Sequence, residues 1–396
     1  MWPGLTAEDR RFWRNVAEFA RRSVLPRILE WDRAGTLPRS LWFDLAKQDF
    51  LGLAIPKTLG GAGAGVKRLA LALDAFAYGS KDLGIVNSWG VHSAMAGMAL
   101  VRFGTFEQQQ KYLPLMASGT AVAAFALSEP EAGSHARAIK TTVRRDGDHY
   151  VVRGTKAHVS NAPFADLFVT IGRMESASDA FTALMIERDT SGLTVGLARD
   201  KSCIRTSPLA NVQFDDCRIP LGACLGEEGM AFDAIVPSIL DWDRCVVWAG
   251  RLGRLRTLLE DSVAYAARRV QFNKPIAQHQ AIAFKLADMK VRLEAAQALL
   301  AQAVDNLERD ELTNLSAALA RLFLGEATMA GADDMAQIFG GNAFYPEFHV
   351  ERYCRDSKLD GIGGGSSEIQ HLIISRELLK ITESVADPWL SDAVLP

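Results

Sequence analysis

Ser128-Glu-Pro-Glu-Ala-Gly-Ser134 is the segment best equipped for binding chemistry. Its two hydroxyls and several backbone N–H groups follow an apolar run, Val122 to Leu127, and so collect at the end of a predicted strand. Such a set can hydrogen-bond a polar heterocycle on one side and a phosphate on the other; taken alone it equally suits a polar turn. Gly363-Gly-Gly-Ser366 opens a predicted helix from Ser367 through Leu379. The free N–H groups and dipole of a helix start favour an anion or a polarised oxygen, with a flexible N-cap as the competing reading. Gly340-Gly341 is a third glycine segment. Gly60-Gly-Ala-Gly-Ala-Gly65 superficially suggests a phosphate loop, yet a dinucleotide fingerprint leaves a buried strand and enters a helix inside a βαβ unit. Here the preceding Leu51 to Pro56 is short and ends in proline, which predicts a turn between helices.

The elements that must hold these segments fall into three stretches. Residues 1–118 read as a helical domain: Thr6-Ala-Glu-Asp9 resembles a capping box ahead of an amphipathic run with Phe12, Val16, Phe19 and Val24 on one side. Apolar stretches at 66–79 and 84–104 have helical length. Residues 119–228 read as a β-domain. Thr141 to Arg145 and His149 to Arg153 flank a DG turn, a strong hairpin signal, and Leu167 to Ile171, Phe181 to Ile186 and Val212 to Phe214 add short strands. No alternating helices suggest a doubly wound sheet. Residues 229–396 are helical again, with a stripe from Leu286, Met289, Leu293 and Ala296 to Leu300, Val304 and Leu307 that predicts helix–helix packing.

Composition narrows the function classes. With 396 residues, 48% hydrophobic and 23% charged, the chain is an ordinary globular protein of two or three domains. A net charge of -3 gives no reason to expect nucleic acid or a membrane surface as partner. Arg251, Arg254 and Arg256 lie near helical spacing and read as a solvated helix face. Five widely spaced cysteines without a CxxC pair argue against a zinc site and a disulfide framework, so no metal is expected. No secretory signal is visible and no apolar run approaches the roughly 18 residues of a membrane span; a reducing, cytoplasmic setting is expected.

Read together, five segments resemble the acyl-CoA dehydrogenase family over nearly the full chain: Ala126-Leu-Ser-Glu-Pro-Glu-Ala-Gly-Ser134, Gly154-Thr-Lys-Ala-His-Val-Ser-Asn161, Arg269-Val-Gln-Phe-Asn-Lys-Pro-Ile276, Gln337-Ile-Phe-Gly-Gly-Asn342, and Arg355-Asp-Ser-Lys358 followed by Ser367-Glu-Ile-Gln370. The resemblance implies an α+β fold of N-terminal helical domain, middle β-domain and C-terminal four-helix bundle. It implies FAD between the middle and C-terminal domains, completed by a neighbouring subunit in a homotetramer built as a dimer of dimers. Leu127 and Ser128 match residues at the flavin pyrimidine edge, and Gly133 and Ser134 the turn near pyrophosphate and substrate. Ser160 matches a hydroxyl that reaches flavin N5. Arg269, Gln271, Phe272, His279, Gln280, Gln337, Gly340 and Gly341 match positions that hold FAD from the partner. Ser366 and Glu368 match flavin contacts at the start of the late helix. Asp241, Arg244, Gly365 and Arg376 match positions near the thioester and its pantetheine arm.

Two departures stand out. His158 replaces a tryptophan that many members place against the flavin, and histidine is smaller and ionisable near neutral pH. Gly364 occupies the position of the usual catalytic glutamate. Removing hydrogen from the α and β carbons of a thioester takes a base for the proton and an acceptor for the hydride, and FAD supplies the acceptor. Glycine keeps the backbone N–H that, with a flavin ribityl hydroxyl, would steady the developing enolate oxygen. The isovaleryl and long-chain branches of the family carry the base on an earlier helix, and Asp243 of Leu240-Asp-Trp-Asp-Arg244 falls there. A structural aspartate, paired with Arg244 or exposed on a helix, is the competing reading; Asp360 and Glu368 match no base position. The expected activity is α,β-dehydrogenation of an acyl-CoA or acyl-carrier-protein thioester, with electrons passing to an electron-transfer flavoprotein. A flavin oxidase or oxygenase using dioxygen, as nitroalkane oxidase does, and a flavoprotein without catalysis are the alternatives.

Overall fold

The computed structural model describes residues 2–311 and 314–384. At its N-terminus the Thr6 hydroxyl accepts the Asp9 N–H at 3.1 Å while the Asp9 carboxylate accepts the Thr6 N–H at 3.0 Å, a reciprocal cap that starts α1 (Ala7–Ser23). Short helices α2 (Ile28–Ala34) and α3 (Arg39–Ala46) follow, then α4 (Gly65–Ser80), α5 (Gly84–Gly90), α6 (Met98–Phe103) and α7 (Phe106–Ala117). Helix α4 is apolar on almost every side and is buried accordingly, lying against α1 and a later helix, Ala249–Arg268. The glycine run before it is a turn: a Cβ on Gly61 would sit 2.2 Å from the Ile55 carbonyl oxygen, so close backbone approach explains that residue.

The middle of the chain folds as one sheet in the order β6-β7-β3-β2-β4-β5-β8, with β1 added parallel to β4. The strands are β1 (Ala123–Ala126), β2 (Thr142–Asp146), β3 (His149–Ser160), β4 (Leu167–Met174), β5 (Phe181–Glu187), β6 (Leu193–Val195), β7 (Leu209–Pro220) and β8 (Cys224–Leu225). The β2–β3 hairpin forms with Asp146 paired to His149, so its two-residue loop is Gly147-Asp148, one position later than an Asp-Gly loop. The glycine takes φ +61°, as such a loop requires. Strand β7 is much longer than Val212 to Phe214 because it pairs with the full length of β3.

The C-terminal part returns to helices: α8 (Val236–Trp242), α9 (Ala249–Arg268), α10 (Gln280–Glu308), α11 (Asn314–Phe339), α12 (Val350–Ser357) and α13 (Ser367–Ser384). Helices α9, α10 and α13 pack around α11 as a bundle, and most of the Leu286–Leu307 stripe is buried on α10. A two-stranded ribbon, β9 (Val270–Gln271) with β10 (Lys274–Pro275), separates α9 from α10. No described helix is long and apolar enough to cross a membrane.

One expectation is overturned. Arg251, Arg254 and Arg256 are not a solvated face; all three are buried on α9. Burial is tolerated because their charges meet partners from distant segments: Arg251 contacts Asp360 at 2.9 Å and Arg254 contacts Asp356 at 3.4 Å. Arg256 reaches Gln297 at 3.4 Å and stacks over Trp13. Charge spacing along one helix could not reveal carboxylates some 100 residues away.

Candidate active site

Asp243 opens a single π-helical turn, Asp243–Val247, wedged between α8 and α9. Such turns redirect side chains out of the regular helical register. The turn aims Asp243 inward: its residue is only 7% exposed, on neither a solvent face nor an ion pair with Arg244. Arg244 instead pairs with Asp241 at 3.0 Å. Among the described residues the Asp243 carboxylate forms no ion pair, Arg251 being held by Asp360 instead. Burial pushes the Asp243 carboxyl above the usual range, opposed by the Arg251, Arg244 and Arg321 charges and the Trp248 indole N–H. Asp241 is also raised, to about 6, by burial acting against Arg244.

Gly364 faces this carboxylate. It adopts φ +62°, and a Cβ built there would lie 2.6 Å from Asp243 Oδ2 and 2.7 Å from Trp248 Nε1. The space a side chain at 364 would use is therefore bordered by the Asp243 carboxylate, which explains glycine here twice over: by conformation and by volume. Among the described residues the Gly364 N–H donates to no group, while its carbonyl accepts from Gln370 Nε2 at 3.2 Å. Gly365, φ +80°, holds the same Gln370 amide at 3.0 Å. Arg321 donates to the Gly363 carbonyl, and its guanidinium lies 4.2 Å from the Trp248 ring centroid, with Arg251 at 4.5 Å from that ring. A carboxylate and a free N–H thus converge on one small volume.

The second part of the site is the turn after β1. Lys156, fully buried on β3, donates to the Leu127 carbonyl at 2.9 Å and to Glu129 at 2.8 Å. Glu129 also accepts the N–H groups of Lys140 and Thr141. Burial lowers the Lys156 ammonium to about 8 despite the adjacent carboxylate. The turn is fixed from behind, leaving Ser128 half-buried and Gly133 and Ser134 exposed. Among the described residues the Ser128 and Ser134 hydroxyls have no partner. Ser160 accepts from Asn87 Nδ2 at 3.3 Å, so its own O–H is free to donate. His158 sits at a β3 bulge with φ +57° and points to solvent. These open donors, beside a turn of small residues, fit the polar edge of an isoalloxazine and a phosphate.

The remaining predicted positions lie elsewhere. Arg269, Gln271 and Phe272 are exposed on or beside the β9–β10 ribbon; His279 Nε2 contacts the Gln271 carbonyl at 3.2 Å and Gln280 follows it. Gln337, Gly340 and Gly341 are exposed at the end of α11, close to the end of α9, where Tyr265 meets Phe339 and Asn342. Asp243 precedes α9 and Arg269 follows it, and this 20-residue helix sets the two groups about 30 Å apart within one chain. Ser366 is half-buried; Glu368 is exposed, its carboxyl lowered by the Ser366 hydroxyl, and Arg376 is exposed further along α13. Sequence reasoning missed Trp248, Arg321 and the role of Asp360. Only Arg321 left a trace, as an arginine inside the otherwise small and apolar run Leu315 to Gly325.

Comparison with known proteins divides the chain in the same helical, β and helical order. The descriptions "Acyl-CoA dehydrogenase, N-terminal domain", "middle domain" and "C-terminal domain" match residues 6–120, 124–217 and 232–379. The chain belongs to the acyl-CoA dehydrogenase family and is an FAD-dependent oxidoreductase acting on CH–CH bonds. It is similar to the L-prolyl-[peptidyl-carrier protein] dehydrogenase of Pseudomonas fluorescens (strain Pf-5), 36% identical over 340 residues, 85% of this chain and 89% of that one. The acyl-CoA dehydrogenase of Bacillus subtilis (strain 168) is 35% identical over 377 residues, covering 95% and 99% of the two chains. Among solved structures, the FAD complex of PigA superposes with a TM-score of 0.92 at 29% identity, over 96% of this chain and 99% of that one.

Proposed function

We propose that this enzyme oxidises the Cα–Cβ bond of an acyl thioester carried by coenzyme A or by a carrier protein, with Asp243 as the base. The observation that carries the reading is the buried Asp243 carboxylate, without an ion-pair partner among the described residues, set so close to Gly364 that a Cβ there would lie 2.6 Å from its Oδ2. Asp243 takes the α-proton on a carboxylate oxygen. The Gly364 N–H donates to the thioester oxygen, where charge develops as that proton leaves. FAD, when bound at the β1 turn through Leu127, Ser128, Gly133, Ser134 and Ser160, supplies the acceptor for the β-hydride. Arg244, held by Asp241, and Gly365 line the approach of the thioester, and Arg376 its more distant arm. Aspartate is one methylene shorter than glutamate, yet from the π-helical turn that it opens its carboxylate still reaches the glycine loop at Gly364. Electrons leave to an electron-transfer flavoprotein, and a homotetramer, a dimer of dimers, completes each FAD site with Arg269, Gln271, Phe272, His279, Gln280, Gln337, Gly340 and Gly341 of a neighbouring copy.

Anaerobic flavin bleaching with butyryl-CoA, isobutyryl-CoA and a prolyl-carrier protein tests the substrate class. Bleaching by at least one thioester, followed by slow reoxidation in air, is expected. Rapid reoxidation would replace the dehydrogenase with an oxidase, and flavin inert to all three would remove the catalytic reading.

A further inference from the structure

The guanidinium groups of Arg251, Arg244 and Arg321 lie near enough to Asp243 to favour its ionised form, yet each is engaged elsewhere. Arg244 is tied to Asp241 at 3.0 Å, and Arg251 to Asp360 at 2.9 Å. Asp360 is itself fully buried and anchored on its other oxygen by the Thr328 hydroxyl at 2.9 Å. Arg321 donates to the Gly363 carbonyl. Among the described residues, Arg244 Nε, Arg251 Nη1, and Nε and Nη1 of Arg321 are buried without a hydrogen-bond partner. Buried donors of this kind close on the nearest acceptor unless their other contacts hold them back, because an unmet N–H costs about 1–3 kcal/mol.

We infer that Asp360 and Asp241 are positioning residues that hold Arg251 and Arg244 off Asp243, keeping its carboxylate without a direct ion pair and so available as a base. The inference rests on the assignment of Asp243 as base. A guanidinium bonded directly to that carboxylate would occupy the lone pairs that must receive the α-proton and would weaken it as a base. Kept at a distance, the same charges permit an ionised carboxylate in a buried site. The groups that face Asp243 are Asp241, Arg244 and the buried Cys245 thiol of its own segment, Arg251 of α9, and Arg321 of α11, with Asp360 behind Arg251. On the other packed elements, Asp74 of α4 is held by Trp2 and Trp13, Lys285 and Arg292 of α10 by Asp334, and His92 by Met116 and Ala123.

The test uses FAD-loaded enzyme and follows the Asp243 carboxyl by its infrared C=O band against pH, assigned by its loss in Asp243→Asn. Asp360→Asn releases Arg251 and Asp241→Asn releases Arg244, so each moves the titration midpoint down by about one pH unit or more. The double variant Arg251→Gln/Asp360→Asn removes the charge together with its tether and moves the midpoint up. The acid limb of flavin reduction, by the thioester that bleaches the wild-type enzyme fastest, moves in the same directions, with a plateau roughly tenfold lower in the two single variants. A folding defect alone lowers rates without moving that limb. If Asp360→Asn does not fold, the partly exposed Asp241→Asn and the neutral double variant carry the test. An unmoved midpoint in the folded variants overturns the inference. Wild-type flavin reduction by Asp243→Asn overturns the assignment beneath it instead.

Discussion

At the scale of single residues, Asp243 differs from an ion-paired buried aspartate in the sign of its effect on stability. A structural ion-pair member would cost about 3–5 kcal/mol on neutralisation, because its partner would be left buried and alone. Among the described residues Asp243 has no such partner, and burial raises its carboxyl above the unfolded value of 3.8. A carboxyl raised in the folded state makes the protein less stable as pH rises through that window, since the fold then binds more protons than the unfolded chain. Asp243→Asn should therefore keep or raise the melting temperature at pH 7 while lowering flavin reduction roughly 10²–10⁴-fold. Calorimetry and stopped-flow reduction on one preparation check both halves; a large loss of stability would mark the residue as structural. In the wild type, the rate should climb with pH across a midpoint above the ordinary aspartate range, as the base ionises. Gly364→Ala probes the same volume from the other side. Its Cβ would press on Asp243 Oδ2 at 2.6 Å, in a left-handed conformation that costs of order 1–3 kcal/mol at a non-glycine residue. Reduction should fall with FAD still bound, as a flavin absorbance titration can show.

At the scale of elements, the β1 turn and its support make the clearest prediction. Lys156→Met leaves Glu129 buried with two backbone N–H groups and no counter-charge, so it should cost about 3–5 kcal/mol in chemical denaturation. It should also loosen FAD, because the Leu127 carbonyl loses its anchor; unchanged FAD affinity by fluorescence would separate the ion pair from the cofactor site. The order helical, β, helical was readable because each stretch carries its own period: the α10 stripe repeats at helical spacing and the β2–β3 runs flank a glycine turn. The surroundings of Asp243 were not readable. Arg251 and Asp360 are 109 positions apart, and Arg321 comes from a third helix, so no local pattern couples them. Buried and solvated arginines on one helix have the same spacing; only tertiary partners tell them apart. The hairpin loop slipped by one position for a related reason, since Asp-Gly and Gly-Asp both suit a two-residue turn and the pairing of Asp146 with His149 decides between them.

At the scale of the whole molecule, the position of α9 bears on assembly. Asp243 and Arg269 flank opposite ends of a helix about 30 Å long, yet the family resemblance sets Asp243 at the base position beside one flavin and Arg269 against a partner's FAD. One chain would then contribute its Asp243 end to one cofactor and its Arg269 end to another, which requires at least two copies. The surface near the second end supports this reading. Phe272 is 88% exposed on the ribbon, and Phe344 is 81% exposed beyond the end of α11. Val270, Phe284 and Tyr345 add further exposed apolar surface, more than a lone ribbon and loop would be expected to leave to water. Light scattering of the holoenzyme should accordingly give a dimer or tetramer. Arg269→Ala, which leaves the Asp243 end untouched, should weaken FAD retention at dilution by roughly tenfold or more, the scale of one lost charge-assisted contact. A monomer that holds FAD as tightly as the wild type would place the whole cofactor site within one chain and return Arg269 to an ordinary surface role.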